Sequence, residues 1–319
     1  MVNSIEEVKN AQAKANDNSF KFVETNFKEA EVIDAPKYSY WESVWRTFGK
    51  NKVAIFFMIL MIIILLMSFI QPLISGYDPM DTTNINDMSA RYIEPNMTHW
   101  FGTDANGQSL FDATWSGAKT SLSISFLAVL VTTVVGVTVG AFWGLSPKID
   151  RIMLEVYNIF ANIPTLLIVI ILAYSMGNGF WNLLFAMTVT SWIFTAYFIR
   201  VQVMIQRDRE YNMASRTLGT PSSRMIVKNI MPYLTSIIVT DVTRALPGFI
   251  STETFLSFIG VGLSADVVSL GGLIKKYSTN LSSKPYLFWI PVAVLAIITI
   301  SLYIVGQALA DATDPKNHI

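Results

Sequence analysis

The sequence predicts an all-α integral membrane protein with six transmembrane helices, and three observations carry that prediction. Of the 319 residues, 52% are hydrophobic and only 14% charged, whereas an ordinary soluble domain carries roughly a quarter charged residues. The apolar residues fall in separated blocks of the length that crosses hydrocarbon, about 20 residues each. Lys and Arg are concentrated in the segments on one side of those blocks.

Residues 1–37 are a polar segment of mixed charge. It opens MVNSIEEVKNAQAKANDNSF, without the basic start, short apolar stretch and small-residue site of a cleaved signal peptide, so none is expected. Residues 38–52 place Tyr38, Trp41, Trp45 and Phe48 at three- and four-residue spacing. This is the pattern of an amphipathic helix at the membrane surface, with a plain aromatic belt as the alternative.

The apolar body, 53–309, contains the six expected spans. The first, about 53–74, reads VAIFFMILMIIILLMSFIQPLI and stops at Gly76, Tyr77, Asp78 and Pro79, residues that punctuate helices. The second (about 121–143) and third (about 154–176) flank the short stretch Gly144 to Arg151 and are expected to form a hairpin. The fourth lies at about 183–199, the fifth and most polar at about 233–259, and the sixth at about 288–309. Gly136 and Gly140 in the second span form a small-xxx-small pair that permits close helix contact.

Orientation follows from basic residues near span ends, because cytoplasmic loops carry the excess. The N-terminal segment, the 145–153 turn, the 200–232 loop and the 310–319 tail hold about 17 of the 23 Lys and Arg. Both termini are therefore expected in the cytoplasm.

Composition also excludes functions. The chain has no cysteine, which removes disulfides and thiol chemistry, and only two histidines, His99 and His318. A net charge of zero argues against nucleic acid as a partner, since phosphate binding needs a basic face. There is no GxxxxGK[ST], HExxH or GxSxG arrangement, so neither a catalytic set nor a metal site is expected.

The fifth span carries Asp241, Arg244 and Glu253. Ionisable groups at that depth cost several kcal/mol unless they face protein or water, which makes these three candidates for a translocation path. Asp241 and Arg244, three residues apart, are placed to pair on one helix face. Glu253 falls on the opposite side of a regular helix, and a structural hydrogen bond there outweighs substrate contact.

The loop between spans four and five is the most informative stretch. It reads as two short helices around a turn at Gly219, Thr220 and Pro221, a helix stop followed by a Pro-initiated restart. Met213-Ala214-Ser215, Gly219 and Pro232 fit the EAA, three residues, Gly, thirteen-residue, Pro spacing of ATP-binding-cassette importer permeases. Glu210, Tyr211, Ala214, Arg216, Leu218 and Gly219 resemble the E-Y-x-x-A-A-R-x-L-G form of the oligopeptide, dipeptide and nickel branch, with Ser215 replacing the second alanine. Phe101 to Gly107 with Gly117 to Leu122 resembles its G-T-D-x-x-G-R-D and G-A-R-x-S-L segments, Gln108-Ser109 replacing Arg-Asp. Glu253 to Gly262 and Ser269 to Gly272 resemble E-x-x-L-S-F-L-G-x-G and the following Ser-Trp-Gly. Asp311 to Lys316 resembles the terminal R-D-x-x-D-P-R of the subunit with the short first external loop.

The resemblance implies a type I ABC importer permease bundle in a bacterial cell membrane. It implies a second homologous permease, two ABC ATPases that use ATP and Mg, an external solute-binding protein and an oligopeptide cargo, with no cofactor held by this chain. Dipeptides or nickel are the alternative cargoes. An ion-coupled secondary transporter is the alternative mechanism, though it leaves the loop spacing unexplained. The resemblance makes Glu210, Tyr211, Ala214, Ser215, Arg216, Leu218, Gly219, Thr220, Pro221 and Pro232 the ATPase-coupling loop.

Overall fold

The computed structural model describes residues 40–81, 83–264 and 266–313. The expectations for residues 1–37, Tyr38, His318 and the 314–319 end of the tail lie outside them. The chain falls into two compact units, Met1–Glu42 and Ser43–Ile319. Of the first, only residues 40–42, the opening of α1, are described.

The described residues are helical almost throughout, with a single isolated bridge between Thr103 and Ser109. The first helix, α1 (Tyr40–Lys50), buries Val44 and Phe48 beside Ala54, Ala308 and Ala312 of the two helices that follow it onto this end. Helix α2 (Lys52–Ser75) is capped by Asn51, whose side chain accepts the Ala54 N–H, and it ends at Gly76 in the left-handed conformation. Phe56, Ile59, Ile63, Leu66 and Leu73 lie on its exposed face, an apolar surface suited to lipid because a helix bonds most of its backbone groups to one another.

Helix α3 (Leu110–Leu145) has 36 residues, about 54 Å at 1.5 Å per residue. It starts eleven residues before the expected span because Ser109 caps it by accepting the Asp112 N–H. At its other end only Ser146 separates it from α4 (Pro147–Ala161). The expected 144–151 turn is therefore mostly helix, Pro147 being well suited to a first helical position.

The third span is not one straight helix. It is α4 followed by α5 (Thr165–Met176), bent by 81° at Asn162, Ile163 and Pro164. Proline supplies no N–H and disfavours helix at the residue before it, so Ile163-Pro164 breaks the run despite its apolar composition. Five described helices are long and apolar enough to cross a membrane, or six if the bent pair counts as one span.

The expected hairpin partner is also corrected. Helix α3 packs chiefly on α6 (Phe180–Arg207), not on the third span. A Cβ at Gly136 would meet Thr195 at 2.7 Å, at Gly140 it would overlap the Ala196 carbonyl, and at Gly144 it would meet Val203 at 2.8 Å. Glycines four apart leave a groove into which α6 settles backbone to backbone.

Helix α6 runs through Arg207, and the fifth span starts as early as Ser222. The segment between helices thus shrinks from the expected 200–232 to 208–221, containing the short helix α7 (Glu210–Thr217). Helix α8 (Ser222–Ile259) is continuous through Pro247 and Gly248, with a π-helical stretch over Met225–Ile230. Pro232 follows that stretch, and its missing N–H and its ring crowding the preceding turn account for the widened helix. A short helix α9 (Leu270–Tyr277) precedes α10 (Pro285–Thr313), which keeps residues 310–313 helical rather than tail.

One buried cluster joins Met61, Ile64, Trp115, Leu122, Ile250, Leu270 and Ile298 from α2, α3, α8, α9 and α10. A second, at the 208–221 end, joins Ala141, Ile199, Val203, Met225, Ile230 and Leu234 from α3, α6 and α8. Together they hold α8 between the loop at one end and α9 at the other.

Candidate functional site

Helix α7 opens with Glu210 and closes on a Schellman motif. The Gly219 N–H donates to the Arg216 carbonyl at 3.0 Å and the Thr220 N–H to the Ser215 carbonyl at 3.1 Å. Gly219 adopts φ +84°, a conformation glycine enters without a side-chain penalty. Pro221 then caps α8. The tip projects: Leu218 is 86% exposed, and Glu210, Tyr211, Met213, Ala214, Arg216 and Pro232 are exposed as well.

The base of the loop is rigid. Asn212 is fully buried and donates to the Gln206 carbonyl at 2.8 Å. Asn229 of α8 donates to the Asn212 side-chain oxygen at 3.0 Å and to Ser215 Oγ at 3.4 Å. Ser215, the replacement for alanine, donates to the Tyr211 carbonyl at 2.9 Å. Sequence reasoning passed over Asn212 and Asn229, although a poor helix former such as Asn inside a helical stretch hints at a side-chain bond. Asp208 pairs with Arg207 at 2.8 Å, and that hydrogen-bonded guanidinium holds its carboxyl below the usual carboxylate range. Arg216, Thr220, Pro221 and Arg207 line a small cavity of about 170 Å³ at the base of the knob.

Asp241 and Arg244 line a cavity of about 410 Å³ with Phe198, Thr240, Asp311 and Thr313. The expected pairing between them is not formed. The described ion pairs join Arg200 to Asp150, Arg207 to Asp208, Lys276 to Asp104 and Lys284 to Glu94. Spacing of three residues permits a pair, but a cavity open to water removes the need for one.

Glu253 lies apart from both. It is fully buried and accepts the Ser257 hydroxyl at 2.7 Å. It lines neither the 410 Å³ cavity nor a second one of about 520 Å³ bounded by Ser257, Ser269, Lys275 and Lys276.

At this same end the 76–109 segment is organised around Asp104, which is 1% exposed. Its carboxylate accepts from the Asn106 and Gln108 N–H groups at 2.9 and 3.0 Å. It also accepts from Lys276 at 2.8 Å and the Tyr277 hydroxyl at 3.1 Å. Gln108, where the resembling families carry Arg, donates its amide to the carbonyls of Asp78 and Asp81 at 3.2 and 2.8 Å, so a neutral side chain ties the segment together. Burial and the Asp104 carboxylate push the phenols of Tyr77 and Tyr277 up. Among the described residues no group of His, Asp and Glu gathers to hold a metal ion.

A bundle of membrane-length helices with a capped, protruding helix between two of them is the architecture of a multi-span transport permease. Residues 136–318 match the family described as binding-protein-dependent transport system inner membrane component. Residues 39–95 match the N-terminal transmembrane domain of oligopeptide transport permease C. The chain is 54% identical over 299 residues to the oligopeptide transport system permease protein AmiD of Streptococcus pneumoniae, covering 94% of this chain and 97% of that one. It is 34% identical over 300 residues to the oligopeptide transport system permease protein OppC of Bacillus subtilis, with the same two coverages. Among solved structures it resembles the MetNI methionine ABC transporter with TM-score 0.51 and 18% identity, over 62% of this chain and 94% of that one, which concerns the fold alone. The chain belongs to the family of binding-protein-dependent transport system inner membrane components. It is a multi-span cell-membrane permease of an ABC importer.

Proposed function

We propose that this chain is one of a pair of permease subunits that together form a path for oligopeptides across the cell membrane. Separate ATPases supply the energy, and an external solute-binding protein delivers the cargo. Both termini and the 208–221 loop face the cytoplasm, in keeping with the excess of basic residues on that side. The 76–109 segment and α9 face outward.

The observation that carries this reading is the loop. A helix of eight residues, stapled at its base by Asn212 and Asn229 and closed by Gly219, presents Leu218 and Arg216 to solvent and leads straight into α8. Such a knob suits the surface cleft of an ATPase, with an apolar anchor at its centre and a guanidinium beside it. Its rigidity passes a push to α8 without loss. Asp241 and Arg244, on the wall of the 410 Å³ cavity, supply polar lining for a solute with charged ends.

The test is Leu218→Glu in the assembled transporter. Its side chain has almost no contacts to lose, so insertion and folding are expected to be unchanged while ATPase association and ATP-driven peptide uptake fall. Uptake and association equal to wild type from the inserted variant would remove the loop from the ATPase interface.

A further inference from the structure

Glu253 is a fully buried carboxyl inside a membrane-length helix, and such a group stays there only if its surroundings are built for it. They are. Ser257, one turn on, donates to it at 2.7 Å. Thr254 adds a longer contact at 3.5 Å, and the hydroxyls of Ser121 on α3 and Ser269 at the start of α9 lie near the same carboxyl. Ser121 Oγ also accepts the Leu270 N–H at 3.2 Å, and Ser269 Oγ accepts the Gly272 N–H at 3.1 Å. The hydroxyls grouped around Glu253 thus include the two that hold the first turn of α9.

The backbones pack closely at this point. A Cβ at Gly117 of α3 would sit 3.0 Å from Ser269 and 3.1 Å from Leu270. A Cβ at Gly271 of α9 would overlap the Thr254 carbonyl and lie 2.9 Å from the Ser257 side chain. The last turn of α9 is fastened too, Lys276 and Tyr277 both binding the buried Asp104 of the 76–109 segment. In the other direction α8 is one helix from Ser222 to Glu253, about 46 Å at 1.5 Å per residue, and Ser222 follows directly on Thr220 and Pro221 of the docking knob.

We propose that Glu253 is a positioning residue for transport. Its carboxyl locks α9 onto α8, so that the two move as one body and carry displacement of the cytoplasmic knob to the outward-facing 76–109 segment. Rigid helices joined by a packed, hydrogen-bonded junction are a physical route by which one site biases another. This rests on the transport reading given above. It assigns the family-type E-x-x-L-S-F stretch a mechanical task between α3, α8 and α9, with no contact to cargo.

The experiment uses the whole complex in vesicles, with the partner permease, the ATPases and the peptide-loaded external binding protein. ATP hydrolysis is measured with and without that protein, and peptide uptake beside it. Glu253→Ala is expected to leave basal hydrolysis and ATPase association unchanged while the stimulation by the binding protein falls ~5-fold or more, the lower range of measured site-to-site coupling. Glu253→Gln, which still accepts the serine hydroxyls, restores most of it. Unaltered stimulation in Glu253→Ala, or a loss of basal and stimulated hydrolysis in equal proportion, overturns the role, since a merely structural residue gives the second result. Should Glu253→Ala not accumulate, Ser269→Ala cuts the same junction from the α9 side with the same expected split. The cysteine-free chain adds a direct readout. Spin labels at Thr252→Cys on α8 and Thr279→Cys beyond α9 keep one separation with and without trapped ATP if the helices move together, and a shift between the two states overturns the proposal. A wild-type complex whose hydrolysis ignores peptide-loaded binding protein removes the transport reading itself, and the role of Glu253 with it.

Discussion

Arg200 and Asp150, fifty residues apart in sequence, meet in a two-pronged ion pair between α6 and the first half of the broken third span. One prong, Nη2 to Oδ2, measures 2.9 Å, and the Trp143 indole N–H adds a third bond to Asp150 at 2.7 Å. The guanidinium lies 5.6 Å from the Trp143 ring centre and 5.5 Å from that of Tyr197, and Tyr197 stacks on Tyr157 at 4.1 Å. This junction ties α4 to α6 where the helix packing is otherwise thin, a few residues from the knob.

Arg200→Lys keeps the charge but loses the fork and the stacking. It is expected to lower the stability of the detergent-solubilised protein by about 1–3 kcal/mol, between the values for exposed and buried pairs because Asp150 is partly open to solvent. Thermal melts of Arg200→Lys, Asp150→Asn and the double variant read the coupling between the two positions, and additive losses would mean that they act independently.

The groove at Gly140 leaves no room for a methyl group, since its Cβ would overlap the Ala196 carbonyl. Gly140→Val is expected to push α3 and α6 apart and to destabilise the protein by about 1–3 kcal/mol or more. Gly248→Ala, at a position with nothing within 4 Å of the added carbon, serves as the neutral comparison in the same melting assay.

At Gly219 the constraint is the backbone alone. An added Cβ meets nothing within 4 Å, but φ is +84°. Gly219→Asn, which tolerates the left-handed region, is expected to retain uptake, and Gly219→Val to lose it through a misshapen cap costing about 1–2 kcal/mol. Equal uptake by both variants would show that the Schellman closure is not needed for coupling.

The clamp around Asp104 is predicted to weaken in alkali. The Tyr277 phenol is held protonated above its ordinary range by burial and by the Asp104 carboxylate. A raised pKa in the folded state gives stability that is complete below the unfolded value, about pH 10, and is lost as pH climbs past it. Melting temperature followed from pH 8 to 11 should fall less steeply in Tyr277→Phe, which has no proton to lose but also lacks the bond to Asp104 and so starts lower.

Much of this was readable along the chain. The first long helix, Lys52–Ser75, ends within a residue or so of the apolar run 53–74 because Asn51 and Gly76 bound it. The knob was legible from Gly219, Thr220 and Pro221, whose backbone preferences act locally. The failures share a cause. The bend at Pro164 hid inside an apolar stretch that satisfies any span-length criterion. The polar ends of α3, α6 and α8 were assigned to loops because hydropathy marks where hydrocarbon ends, not where helices do.

The charges divide in the same way. That Asp241, Arg244 and Glu253 lie within one membrane-length helix follows from their position in an apolar run. What each one faces does not. Asp241 and Arg244 were expected to pair and instead share a cavity wall, while Glu253 is fully buried and accepts the Ser257 hydroxyl. Asp104 stood out only as the Asp of the G-T-D segment and Asp150 only as part of the 144–151 turn, and their partners Arg200 and Lys276 are 50 and 172 residues away.

The sequence by itself determined that this chain belongs in a bilayer, that its body is a series of long apolar helices, and where the knob lies. Each of these depends on run length, composition or local backbone preference, which are properties of neighbouring residues. Only the tertiary structure decided that α3 lies on α6, that the third span is bent, and that the buried Asp104 fastens the last turn of α9. The reason is physical. Charge burial and glycine packing depend on which distant residues arrive beside them, and helices brought together from opposite ends of the chain settle that question only once they pack.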